Sequence, residues 1–429
     1  MEVKLLALNT SRDLEKSVIY EVFARAYGGF SNVEKDLERI KDLGVDIVWF
    51  MPVHPTGVKN RKGTLGSPYA IRDYRTLDPS LGGDEDFKHL VRSIHDLGMK
   101  AMMDVVFNHM ATDSVLATIH PEWFMRDGNG NPTRKVADWS DVIDFDFSNA
   151  ELPAYLIDTL KFWVKTYDID GFRCDVAGLV PVAFWNRARS ELSGLKNLIW
   201  LSESKDPYLY QAFDITYDYD SYDILKAYFN GKDSLSNYAA NFEYQKQIFD
   251  DHIKLRFLEN HDQERIAKYV SQDKLRAWTT LLIAQKGATL LYNGQEFAIK
   301  EKPDIFNEFH FDFSKGDAHF QDFMKETIKL KKTTPSLSYG TINVLKTDHY
   351  ASTISILRKA DGTLVLYIGN FGEQAAKITV DFDGIFSNTY IHAFDHVKKV
   401  PYTFYVDKNG KATFDLDDYI LISAYKEGI

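Results

Sequence analysis

The spacing of apolar residues changes character along the chain, and the change divides it. Over residues 17–334, short runs of β-formers alternate with stretches in which apolar positions recur three or four residues apart. Val18-Ile-Tyr-Glu-Val-Phe is such a run. Val33, Leu37 and Ile40 follow at helical spacing, with Ser31 or Asn32 as the expected cap and Gly44 as the stop. Val45-Asp-Ile-Val-Trp-Phe reads as a strand ended by Pro52. A helix is predicted over 84–97, ended by Gly98, and a strand over 100–107. The alternation continues through Gly171-Phe-Arg-Cys-Asp175, a helix over 182–192 and the strand Leu198-Ile-Trp-Leu-Ser-Glu203. Eight strands are predicted, beginning near Val18, Val45, Lys100, Gly171, Leu198, Phe213, Lys254 and Thr289; the last helix lies near 320–331. This pattern implies an α/β fold with a parallel sheet covered by helices. Eight repeats fit a (β/α)8 TIM barrel, with a doubly wound sheet as the alternative.

Two stretches break the rhythm. Residues 110–149 carry Asp-Gly-Asn-Gly-Asn-Pro at 127–132 and few periodic apolar positions. They read as a small inserted domain after the third strand, and long excursions of this kind are usually functional. From 338 to 429 helical spacing gives way to alternating runs: Thr353-Ile-Ser-Ile-Leu, Leu364-Val-Leu-Tyr-Ile, Lys377-Ile-Thr-Val and Tyr419-Ile-Leu-Ile. This is expected to be an antiparallel β-sandwich domain. The barrel then comprises 1–109 and 150–337.

Composition narrows the function. A chain of 429 residues exceeds one compact core. A net charge of -11 without a basic block excludes nucleic acid as an expected partner. The single cysteine, Cys174, permits no intrachain disulfide. It alternates to the face opposite Arg173 and Asp175 and reads as a packing residue. Met1-Glu-Val-Lys-Leu-Leu-Ala-Leu-Asn lacks the basic start and long apolar core of a signal peptide, and no run approaches the ~20 apolar residues of a membrane helix. A cytoplasmic location without membrane association is expected, or a secreted one if a leader was removed. Aromatic residues reach 14%. They serve either large cores or the stacking of sugar rings, and composition alone does not separate the two.

Candidate chemistry sits at the strand ends. The third strand closes in Asp104-Val-Val-Phe-Asn-His109, the fourth in Arg173-Cys-Asp175, the fifth in Glu203 and the seventh in Glu259-Asn-His261-Asp262. In a barrel these ends share one rim. Charges there must meet one another or a ligand. Glycoside cleavage needs two carboxyls, one ionised and one protonated, whose environments separate their pKa values. Arg173 lies on the same side as Asp175 and is expected to keep it ionised. Glu203, beside Trp200 and Leu201, is expected to hold a proton. His109 and His261 can donate to sugar hydroxyls.

These motifs resemble the α-amylase family, glycoside hydrolase family thirteen, over nearly the whole chain. Asp104–His109 looks like its first signature, 171–175 its second, Glu203 its acid/base position and 257–262 its fourth. The resemblance implies Asp175 as nucleophile, Glu203 as general acid/base and Asp262 as the third essential carboxylate. It also implies substrate contacts from Tyr69, Asp73, Asp104, His109, Arg173, His261 and Arg265. Val142-Ile-Asp-Phe-Asp resembles a short motif of the family's inserted domain. Where many members carry Lys-His after the nucleophile, this chain has Gly178-Leu179. That removes the family's contact on the leaving side and weakens the expectation of strictly internal cleavage. No cofactor is required. A structural calcium is possible: Asn108 and Asp144 match two ligand positions, but a full set of about six to eight oxygens is not found. Otherwise Asn108 orients its loop by hydrogen bonds. The implied partner is an α-glucan, cleaved by a retaining hydrolase. A transglycosylase or isomerase using the same residues is the alternative, and a non-enzymatic binding scaffold is disfavoured by the intact carboxylates.

Overall fold

A computed structural model of the chain describes residues 10–249 and 252–425. Among them β1 (Val18–Val22), β2 (Ile47–Phe50) and β3 (Lys100–Val105) are followed by two short strands, β4 (His109–Ala111) and β5 (Val142–Asp144). Then come β6 (Gly171–Cys174), β7 (Ile199–Ser202), β8 (Ile215–Tyr217), β9 (Ile253–Arg256) and β10 (Ala288–Tyr292). All but β4 and β5 form one closed parallel barrel in the order β1-β10-β9-β8-β7-β6-β3-β2. Val18 pairs with Thr289 and Ile19 with Ile47, which closes the ring and rules out the doubly wound sheet.

Period two sorts the strand residues. Ile19, Ile47, Trp49, Met102, Leu201, Ile215, Leu255 and Leu290 fill the barrel interior. Val18, Tyr20, Val22, Val48 and Phe50 point outward and pack under the helices. β2 and β8 begin two residues later than their apolar runs suggest, because an aspartate stands at each entrance. Asp46 accepts from the Val18 backbone N–H at 2.9 Å and Asp214 from that of Trp200 at 2.9 Å. Asp170, before β6, accepts from Ala101 N–H at 2.8 Å. Carboxylates at this end of the barrel therefore cap backbone. The helix predicted from Val33 spans Phe30–Asp42 and starts from Gly29 at φ 110, not from Ser31 or Asn32. Asn32 instead donates to Tyr27 O at 3.0 Å.

The excursion is an antiparallel pair, with His109 opposite Asp144 and Ala111 opposite Val142, followed by a return to the barrel through the helix Leu152–Tyr167. The chain ends in eight strands: β11 (Thr341–Thr347), β12 (Thr353–Ala360), β13 (Thr363–Asn370), β14 (Ala376–Asp381), β15 (Thr389–Asp395), β16 (Val400–Val406), β17 (Lys411–Leu416) and β18 (Tyr419–Tyr425). They make one continuous antiparallel sheet, ordered β16-β15-β18-β13-β12-β11-β14-β17, rather than two separate ones. β11 is the hinge. Its residues 341–345 pair with β12 and Lys346 and Thr347 with β14. The sheet folds over a core of Leu357, Leu366, Ile378 and Ile422, and its two edges meet through Phe404 and Phe414, 5.1 Å apart.

This sheet is fixed to the barrel. Trp278, on the helix Gln272–Ala284, packs on Phe371 at 4.1 Å. Arg358, fully buried, donates to Ala284 O at 2.8 Å and Gly340 O at 2.9 Å. The Ala284 carbonyl ends the helix, where a cation suits the unpaired C=O groups. Among the described residues no helix is long and apolar enough to cross a membrane.

Candidate active site

The strand register brings the rim residues together. Asp104 on β3 lies opposite Arg173 on β6, Asp175 follows β6 directly and Glu203 follows β7 directly. Arg173 has no exposure to solvent. Its Nη1 donates to Asp104 Oδ1 at 2.9 Å and to Asp175 Oδ1 at 2.8 Å. Its Nη2 lies 3.1 Å from Glu203 Oε1. Trp49, Tyr69 and Tyr217 surround the guanidinium with their rings, so its charge is held without water. One buried cation thus gathers three carboxyls.

Three carboxyls crowd around this one guanidinium. Burial and the neighbouring Glu203 push the Asp175 carboxyl well above the usual carboxylate range, against the pull of Arg173. Burial raises Asp104 to about 6 in the same way. Arg173 was expected to hold Asp175 ionised, and burial with Glu203 outweighs it. Arg173 opposes that rise through its 2.8 Å contact with Asp175 Oδ1.

Glu203 is held from both sides. Oε2 accepts from Val176 N–H at 2.8 Å and Oε1 from the Tyr219 hydroxyl at 2.9 Å. Val176 carries φ 36 and ψ 46, a left-handed conformation that a β-branched residue rarely adopts. Such strain persists only where the surroundings impose it. Here it aims a backbone N–H at Glu203 immediately after Asp175.

The other expected residues divide. Tyr69 donates to Asp104 Oδ2 at 3.0 Å and stacks on His261 at 5.1 Å. His261 is buried between two acids: Nδ1 meets Glu21 Oε1, and Nε2 lies 3.3 Å from Asp262 Oδ2. The Asp262 side chain is 45% exposed, open to a ligand. His109 is buried beside Trp139, and burial lowers its pKa to about 3, so it acts as a neutral ring. Asp73 is not in the cluster. It accepts from Arg75 N–H at 2.9 Å and closes its own turn. Arg265 is likewise not available to substrate. It is fully buried, bonded to Glu259 at 2.6 Å and to Asn293 O at 2.8 Å, and braces the loop behind Asp262. Sequence reasoning missed Glu21, Tyr217 and Tyr219. Glu21 carried a signal, as the one charge within the apolar run of β1; a fully buried acid there needs a partner. The tyrosines carried none.

His261 sets a pH dependence. Burial alone would lower its pKa, but Asp262 and Glu21 overcome this and hold it at about 9. The folded value lies above the unfolded one of roughly 6.5. Its contribution to stability is therefore complete below the unfolded pKa and is lost as pH rises through the folded one. His261→Asn should flatten the fall of Tm over that window, as read by scanning fluorimetry across pH. A wild-type slope in the variant would remove His261 as the cause.

The possible calcium site was tested by its oxygens. Asn108 Oδ1 accepts from Lys135 Nζ at 2.9 Å, and Asp144 Oδ2 lies 3.9 Å from the same ammonium. A lysine stands where a metal would be, so these residues do not fit one. No cluster of three or more His, Cys, Asp and Glu side chains suited to a metal occurs among the described residues.

Fold and rim together give a closed barrel with a cluster of carboxyl groups at the exit end of its strands. The family model for the α-amylase catalytic domain matches residues 21–140 and 200–339, over half of the chain, and passes over the stretch that holds Asp175. The chain belongs to the α-amylase family. It is 28% identical over 344 residues to the α-amylase MalA of Haloarcula japonica, covering 76% of this chain and 50% of that protein. It is 26% identical over 388 residues to the intracellular maltogenic amylase of Bacillus subtilis, covering 82% and 63%. The chain thus spans half to under two thirds of the length of these relatives. Among solved structures, it resembles the noncanonic maltogenic α-amylase AmyB of Thermotoga neapolitana, with a TM-score of 0.92, 45% identity and coverage of 96% and 99%.

Proposed function

We propose that this protein is a retaining glycosidase that cleaves α-1,4 linkages in maltodextrins or starch-type α-glucans. Asp175 attacks the anomeric carbon while Glu203 gives its proton to the departing glycosidic oxygen. The C–O bond breaks and a glycosyl ester forms on Asp175. Water then attacks the same carbon, Glu203 takes its proton, and the ester bond to Asp175 is released. Asp104, Tyr69 and His261 line the glycosyl-binding side, and Asp262 grips hydroxyls and steadies the positive charge that develops on the ring.

The carrying observation is the shared guanidinium, with Asp175 at 2.8 Å and Glu203 at 3.1 Å from Arg173. One side chain reaching both carboxyls supports a short separation between them, the arrangement that retention uses. The maltogenic names of similar proteins support short glucans as substrates. The intracellular relative supports a cytoplasmic location.

Maltotriose digestion followed by proton NMR in the first minutes tests this. The expected result is α-configured new reducing ends and no product longer than the substrate. β-Configured ends would overturn retention, and longer oligosaccharides would reassign the enzyme to glycosyl transfer.

A further inference from the structure

One ammonium joins three segments around the catalytic rim. Lys135 lies in the excursion between β4 and β5. Its Nζ donates to Asn108 Oδ1 at 2.9 Å and to the Leu179 carbonyl at 3.1 Å, with Asp144 Oδ2 at 3.9 Å. Its backbone N–H donates to that same Asp144 oxygen at 3.0 Å. Asn108 precedes His109 on the loop after β3. Asp144 belongs to β5. Leu179 ends the turn Ala177–Leu179, which follows Asp175 and the strained Val176.

The chemistry of the oxygens explains the lysine. Asn108 and the Asp144 carboxylate are fully buried. An acid in such a place needs a cation or a proton. A divalent ion wants about six to eight oxygens at close range. This chain brings an amide, a carboxylate and a carbonyl, and places a tethered single charge among them. A covalently held ammonium cannot be removed by dilution or by a chelator.

We infer that Lys135 takes the role of a structural metal in this protein, pinning the excursion to the barrel and holding the Leu179 turn that carries Val176. It is a positioning residue. It touches no carboxyl of the catalytic cluster, but the turn it grips presents the Val176 N–H to Glu203 Oε2. Loss of the grip lets Val176 leave its left-handed conformation and frees Glu203 on one side.

Metal content and melting temperature test the first half without reference to activity. Purified wild-type protein should carry no stoichiometric calcium, and its Tm should be the same in excess EDTA and in excess calcium chloride. Bound calcium at one per chain, or a Tm that falls in EDTA and returns with calcium, overturns the inference. Turnover tests the second half and rests on the proposed glycosidase reading. Lys135→Met keeps most of the length of the side chain without its charge. Below its Tm it should lose roughly 10–100-fold in kcat, the cost of a misplaced catalytic group, with KM little changed. An unaltered kcat overturns the positioning role. If Lys135→Met fails to fold, the wild-type result in EDTA decides by itself. If wild type shows no glycosidase activity, the functional reading fails while the metal test stands.

Discussion

Asp175→Asn should lower kcat on maltotriose by roughly 10^4-fold while leaving Tm unchanged or raised. The two halves of this expectation have one origin. In the proposed mechanism Asp175 is the attacking carboxylate, and an amide in its place cannot form the glycosyl ester. The same carboxyl is crowded by Asp104 and Glu203 around Arg173, and burial pushes its pKa well up. A neutral amide relieves that crowding and still accepts from Arg173 through its oxygen. Active sites commonly give up stability in this way. Steady-state kinetics with a thermal melt on the same preparation checks both. Near-normal turnover would remove Asp175 as nucleophile, and a large fall in Tm would make the cluster structural.

Glu203→Gln should have the second largest effect, and its size should depend on the leaving group. With maltotriose the departing oxygen needs a proton, and the loss should be roughly 10^2–10^4-fold. With α-maltosyl fluoride the leaving group needs little protonation, so the first step should be largely spared. The amide fits where the carboxylate sat. Its oxygen can accept from Val176 N–H and its nitrogen can donate to the Tyr219 hydroxyl oxygen, while that nitrogen gives up the contact with Arg173 Nη2. Comparing kcat/KM on the two substrates checks the role. Equal losses on both would mean that Glu203 does something other than supply a proton.

The barrel was legible because period two and helical spacing alternate cleanly, and all eight strands fall within two residues of their apolar runs. The imprecision had a cause: Asp46 and Asp214 extend the runs by pattern but serve as backbone caps. The same residue type thus does opposite jobs at the two ends of the strands. Asp46, Asp170 and Asp214 at the entrances satisfy N–H groups, whereas Asp104, Asp175 and Glu203 at the exits surround Arg173. Strand direction separates these jobs, and it was readable once the strands were placed. Asp73 and Arg265 lie apart from the carboxyl cluster, since nearness in sequence to a motif says nothing about where a side chain turns. Asp73 closes a local turn and Arg265 is spent on Glu259. Lys135 was invisible for the opposite reason. It lies 27 residues from Asn108 and 44 from Leu179, on a segment without periodic pattern. The folded-over C-terminal sheet was equally hidden, since alternation gives strands but not which neighbours share a ladder.

The docking of that sheet bears on how the chain could be divided. The expected border at 337/338 runs through the helix Pro335–Tyr339. A cut there would strip Trp278 of Phe371 and leave the Ala284 carbonyl facing no guanidinium. The released sheet would open Arg358 to water, keeping its Gly340 carbonyl and losing that of Ala284. Neither piece is a finished surface. The barrel and its β appendage share one seam, and each is completed by side chains from the other side of it.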